Sequence, residues 1–144
     1  MSARELLSLD LAAAAEAFRD GGVSSVALTE ASLTALETHG PKLNAVVELW
    51  RDDALATAEK LDRARSNGAA LGSLAGVPLA HKDMFYRKGR VCASGSRLRR
   101  DFVPDVTATV IERLDRAGAV DIGRLNMVEF ALGLTGHNEI TGHP

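Results

Sequence analysis

Apolar positions in the first half of the chain recur at helical spacing. Leu9 to Asp20 is rich in alanine and stops at Gly21-Gly22, a pair that ends helices. Ser24 and Ser25 can cap the next helix, in which Leu28, Ala31, Ala35 and Leu36 define one face. His39-Gly40-Pro41 ends it, because proline cannot continue a helix. The short apolar run Ala45 to Trp50 predicts a strand. Asp52 is the expected cap of a third helix with Leu55, Ala58 and Leu61 on one face, and Ser66-Asn67-Gly68 closes it.

The second half has a different pattern. Ala75 to Ala80 is short, apolar and bounded by glycine, which predicts a buried strand or its approach. Arg87 to Phe102 has no period and reads as loop. Asp105 is the expected cap of a helix carrying Val106, Val110, Ile111 and Leu114 on one side. Ala117-Gly118 ends that helix, and Ala119 to Ile122 predicts a strand. Strand, helix and strand in that order imply an α/β sheet with helical cover. No internal repeat or low-complexity tract divides residues 1–144, so they read as part of a single domain.

Composition narrows the function classes. The chain has 144 residues, 17 Lys+Arg, 19 Asp+Glu and a formal net charge of -2, so it has no global attraction to nucleic acid or anionic membrane. Glu5, Asp10 and Glu16 interrupt the start, and no run approaches the ~20 apolar residues of a membrane helix. A cytoplasmic protein is expected. The single cysteine, Cys92, excludes an intrachain disulfide and reads as an inert thiol.

Several site motifs are absent. No two glycines are separated by one residue, which excludes the dinucleotide loop. Gly118 and Gly123 have phosphate-loop spacing, but Arg124-Leu125 follows where lysine and a hydroxyl residue are required. His39, His81, His137 and His143 match no zinc-ligand spacing. His137 and His143, with Glu139 near, read as loop residues rather than a metal pair, so no metal or cofactor is expected. Arg87, Lys88, Arg90, Arg97, Arg99 and Arg100 follow Phe85 and Tyr86. An RNA contact by phosphate pairing and stacking is one reading. A solvated loop offset by Asp101, Asp105 and the acidic helices is the plainer one.

The segment from Gly76 to Phe85 carries the candidate chemistry. It places Lys82 and Asp83 at the end of a short apolar strand. A lysine between Ala80 and Met84 is expected to be partly desolvated, which disfavours its ammonium form. Bringing a lysine from ~10.4 to near 7 needs ~3 units, or about 4 kcal/mol of differential solvation. Alternation along the strand puts Pro78, Ala80 and Lys82 on one face and His81 and Asp83 on the other. His81 is then no direct partner of Lys82, and Asp83 is expected to fix backbone or a neighbouring loop. A plain exposed Lys-Asp pair at a strand end is the alternative.

Leu74-Ala-Gly-Val-Pro-Leu-Ala-His-Lys-Asp83 resembles the lysine motif of the amidase signature family. The agreement continues in order. Leu43-Asn44-Ala45 is similar to the family's entry to its first strand, and Gly95-Ser96 to the position after the lysine loop. Asp105 to Val120 resembles the next helix and turn, Gly123 to Ala131 the segment after it, and Gly136-His-Asn138 with Gly142 the loop that follows. The resemblance covers essentially the whole chain, most weakly before Leu43. His81 stands where a small apolar residue is common, Arg124 where lysine is common, and Ile140-Thr141 where an aromatic often precedes the glycine.

The resemblance implies the N-terminal part of the amidase-signature α/β fold, with a mixed central sheet covered by helices and incomplete in this chain. It implies an amidase that hydrolyses a carbon–nitrogen bond of a non-peptide amide through a Ser–cis-Ser–Lys triad. Lys82 matches the lysine, a general base acting through the cis-serine, with Asp83 in support. The cis-serine and nucleophile fall outside residues 1–144, because Ser94-Gly95-Ser96 precedes the helix that such a stretch should follow. The partners implied are a small-molecule amide and, for the full-length protein, a homodimer, with neither membrane nor nucleic acid. The rival within the family is the amide-releasing component of a glutamine-dependent tRNA amidotransferase. From other classes, the rivals are an inactive fragment and an RNA-contacting module marked by salt-dependent binding.

Overall fold

In the computed structural model, residues 1–138 and 140–142 are described. Their elements in chain order are helices α1 (Ala3–Leu7), α2 (Leu11–Arg19) and α3 (Ser25–His39), strand β1 (Val46–Leu49), helix α4 (Arg51–Ser66), strand β2 (Pro78–Lys82), helix α5 (Thr109–Arg116) and strand β3 (Val120–Leu125). Single 3-10 turns occur at Pro41–Leu43, Arg97–Arg99 and Glu129–Ala131.

The strands form one mixed sheet of order β1–β3–β2. β3 is central. It pairs antiparallel with β1 through Val46–Leu125, Glu48–Arg124 and Leu49–Gly123. It pairs parallel with β2 through five positions ending in His81–Arg124 and Lys82–Leu125. The α/β class expected from the element order and the mixed sheet implied by the resemblance are therefore present.

Two clusters of side chains bury the helices. Leu6, Phe18, Val23, Leu28 and Ala31 pack with Ala75 and Val77, on the approach to β2. Leu33, Ala54 and Ala58 pack on Val120 and Ile122 of β3. α3 lies between the two clusters, which is why Leu33 is fully buried although it lies off the face formed by Leu28 and Ala31. The N-terminus of α3 is capped twice. Ser24 accepts from the Ala27 amide, and the Asp62 carboxylate of α4 accepts from the amides of Ser25 at 2.8 Å and Val26 at 3.1 Å. Gly76 fits this core by necessity. Its φ is +81°, and an added Cβ would lie 2.6 Å from the Phe18 ring.

The boundaries differ from the sequence expectation at several places. A short helix, α1, precedes the one expected from Leu9, and its Ser2/Glu5 capping box is legible in the chain. α4 is capped at Trp50, not Asp52. The Trp50 amide donates to the Ile122 carbonyl, and the Trp50 carbonyl takes the Ala54 amide, so the strand runs into the helix with no loop. α5 is capped at Ala108, not Asp105, because residues 104–108 bond to the backbone and amides of Tyr86 to Gly89. Val106 and Val110 are consequently exposed while Ile111 is buried. Finally, β2 starts at Pro78, and Ala75 to Val77 are its buried approach, joined to the turn at Gly118.

Candidate active site

At the C-terminal end of β2 three successive residues alternate in exposure. His81 is buried, Lys82 is exposed and Asp83 is buried. This is the alternation expected of the strand. The expected desolvation of Lys82 is not met within the chain. Its side chain is exposed, with no ion-pair partner among the described residues. The backbone beneath it is held firmly. The Lys82 carbonyl accepts from the Met84 and Phe85 amides, and the Asp83 amide donates to the Leu125 carbonyl of β3 at 3.0 Å.

Asp83 fixes a neighbouring loop, as the sequence suggests. Its carboxylate accepts from Arg124 Nη1 at 2.7 Å and from the amides of Ala93 at 3.2 Å and Gly95 at 3.5 Å. Its carbonyl takes the Ser94 amide at 2.8 Å. Arg124 also donates from Nε to Glu48 of β1 at 3.1 Å. One guanidinium thus ties all three strands together at the end where Lys82 emerges. The loop enters a left-handed turn at Ser94 and Gly95, with φ of 53° and 63°. Gly95 is required there, since a Cβ would lie 2.7 Å from both Asn138 and the Met127 carbonyl.

Asn138 and residues 140–142 fold back over this loop. The Asn138 amide donates to the carbonyls of Gly95 and Met127, and its oxygen accepts from the amides of Ile140 and Thr141. Asn126 donates to the Asn44 carbonyl at 2.9 Å and accepts from the Thr141 hydroxyl at 2.9 Å, while Asn44 donates to the Thr141 carbonyl. A cavity of about 170 Å³ lies between these parts, lined by Val47, Asp83, Ser96, Arg124, Asn126 and Thr141.

His81 faces away from this chemistry. Its Nδ1 lies 3.1 Å from Asp121, its ring packs against Trp50 with centroids 5.5 Å apart, and Asp121 pairs in turn with Arg87. Cys92 is buried, and burial pushes its thiol up, away from the reactive thiolate.

The basic segment is only partly a solvated loop. Arg87 pairs with Asp115 and Asp121, Arg90 pairs with Asp53 and lies over Trp50, and Arg99 lies 4.1 Å over the Phe102 ring. Of the expected counter-charges, Asp101 pairs with Arg100. The main partners come from the acidic helices α4 and α5, which the sequence reading names, and from Asp121 of β3, which it does not. Among the described residues, no group of three His, Cys, Asp or Glu side chains could hold a metal ion. His143 and Glu139 lie outside the described residues. No helix among the described residues is long and apolar enough to cross a membrane.

The sequence names Lys82 and Asp83 as candidates. It names Arg124 only as a departure and gives Glu48 no role, because Arg124 lies 41 residues from Asp83 and 76 from Glu48. The resemblance to a family motif is the one signal that points at Asn138.

Comparison with known proteins agrees with this fold. A family model described as Amidase matches residues 27–144. The A-type subunit of the glutamyl-tRNA(Gln) amidotransferase from Chloroflexus aurantiacus is 42% identical over 143 residues, covering 97% of this chain and 29% of that protein. Among solved structures, the peptide amidase of Stenotrophomonas maltophilia superposes with a TM-score of 0.83 at 32% identity, over 94% of this chain and 29% of its own. A fatty acid amide hydrolase superposes with a TM-score of 0.92 over 98% of this chain and 25% of its own, and at 23% identity it shares the fold. The chain therefore spans less than a third of the length of these proteins.

Proposed function

Because this chain belongs to the amidase family, we propose that the full-length protein is an amidase that hydrolyses a carbon–nitrogen bond of a small, non-peptide amide, with Lys82 as its general base. In this reading residues 1–144 are the N-terminal portion of a single domain. The cis-serine and the nucleophilic serine come from residues that follow. Neutral Lys82 takes a proton through the cis-serine hydroxyl while the nucleophilic serine attacks the amide carbonyl. The C–N bond breaks, the amine leaves carrying a proton, and water releases the acid from the acyl-enzyme. Backbone amides beside the nucleophile stabilise the oxyanion. The reading also takes the protein to be cytoplasmic, where the Cys92 thiol stays reduced, and allows a homodimer.

The observation that carries the proposal is the position of Lys82. Among the described residues it is the solvent-facing cation at the end of β2, flanked by the buried residues His81 and Asp83, on a strand end clamped by Arg124. A mobile surface lysine has no such anchorage. The test uses the complete protein with small amides as substrates. Lys82→Ala is expected to remove turnover with folding nearly intact. A variant that kept most of its activity would refute the assignment.

A second reading is favoured by the name of the relative from Chloroflexus aurantiacus. The same lysine would then serve the release of ammonia from glutamine in a tRNA-dependent amidotransferase. Hydrolysis of small amides by the purified protein alone supports the amidase. Glutamine cleavage that appears only with added partner proteins supports the second reading.

A further inference from the structure

The side chain of Lys82 is exposed, so its place at the end of β2 is set by the main chain. That main chain is pinned at the next residue on both sides. The Asp83 amide donates to the Leu125 carbonyl at 3.0 Å, and the Asp83 carbonyl accepts from the Ser94 amide at 2.8 Å. Ser94 is held at its other end as well, because its carbonyl accepts from the Phe130 amide at 2.9 Å. A line of main-chain hydrogen bonds thus runs from the turn at Glu129–Ala131 through Ser94 to the residue after Lys82.

This line is built from strained backbone. Among the described residues, four that are not glycine have a positive φ: Asn44, Ser94, Phe130 and Ala131, at 46°, 53°, 48° and 60°. Asparagine tolerates this region. The other three do not, and all three lie on the line. Glycine would take the same turns without strain but with a wide choice of φ, whereas an L side chain confines the backbone to a narrow left-handed well. Packing does not explain why the strain is kept. Phe130 is 41% exposed and the next apolar residue, Leu132, is 83% exposed, so the turn buries little of its apolar surface. Strain that persists without such burial marks a place where stiffness serves function.

We infer that Ser94, Phe130 and Ala131 are positioning residues: their left-handed backbones stiffen the link between the turn and Asp83, and so fix where Lys82 stands. The inference rests on the reading of Lys82 as the general base, whose misplacement by about 1 Å costs on the order of 100-fold in rate.

The test compares glycine and alanine variants of the full-length protein acting on a small amide. Ala131→Gly and Ser94→Gly keep the main-chain hydrogen-bonding groups and release strain. Each should melt at or above the parent temperature, yet lose about 3- to 30-fold in kcat with KM little changed. Ser94→Ala removes the same hydroxyl as Ser94→Gly but keeps the strain, so its kcat should be several-fold higher than that of Ser94→Gly. A purely structural role would instead make activity follow stability. Glycine variants with the parent kcat overturn the inference, and so does a Ser94→Ala variant as slow as Ser94→Gly. Glycine variants that melt well below the parent overturn it too, because strain is then not what these residues supply.

Lys82→Ala separates the two levels of argument. If it stays active, the reading of Lys82 falls. If it is inactive while Ala131→Gly and Ser94→Gly turn over like the parent, the positioning inference alone is wrong.

Discussion

The side-chain amide of Asn138 donates to the Gly95 carbonyl at 2.7 Å across 43 residues of chain. The same side chain serves Met127, Ile140 and Thr141, so one buried residue joins the loop after β2 to the segment that covers it. Asn138→Ala leaves these buried groups without partners. It is expected to destabilise the protein by about 2–4 kcal/mol. A urea unfolding midpoint measures this. A loss below about 0.5 kcal/mol would show that water replaces the side chain.

Lys82 and Asn138 should behave as opposites. Lys82 is exposed and unpaired among the described residues, so Lys82→Ala should change stability by less than about 0.5 kcal/mol. Its effect belongs in turnover, where loss of a general base costs about 10²- to 10⁴-fold. Parallel thermal melts and rate measurements separate the two.

Gly76 and Gly68 both have positive φ, but only Gly76 is crowded. Gly76→Ala drives a methyl group into Phe18 and is expected to cost about 2–5 kcal/mol. Gly68→Ala meets open space and should cost about 1 kcal/mol from backbone strain alone. Equal melting temperatures for the two variants would contradict the packing described around Phe18.

Cys92 supplies a pH dependence. Burial raises its folded-state pKa above that of the unfolded chain. Its contribution to stability is therefore fully present below the ordinary thiol range, and is lost as pH rises through that range towards the folded value. The urea midpoint should fall on the alkaline side, and Cys92→Ala should flatten that limb. Alkylation of the native protein should be slow at pH 8 and become fast in urea.

Local features of the chain were legible in its sequence. The helix around Leu28, the strand at Val46 to Leu49, the strand approach at Ala75 to Val77 and the alternation of His81, Lys82 and Asp83 all depend on spacing between residues a few positions apart. The cap of α4 at Trp50 was not legible, because it depends on a hydrogen bond to Ile122. The start of α5 was set by the loop at Tyr86 to Gly89. Likewise, the basic segment finds one partner on β3, Asp121, which charge counted along the chain does not name.

What the amino-acid sequence determined by itself is the periodicity of its elements, the α/β order and the motif that marks Lys82. Only the tertiary structure decided that Lys82 remains exposed, that Asp83 is paired with Arg124, and that Asn138 ties the end of the described chain to Gly95. The reason is physical. Periodicity arises from the backbone geometry of neighbouring residues and is written in their order. Burial and charge pairing depend on which distant segments the sheet brings together, and β3 lies at its centre because β1 and β2 pair on either side of it.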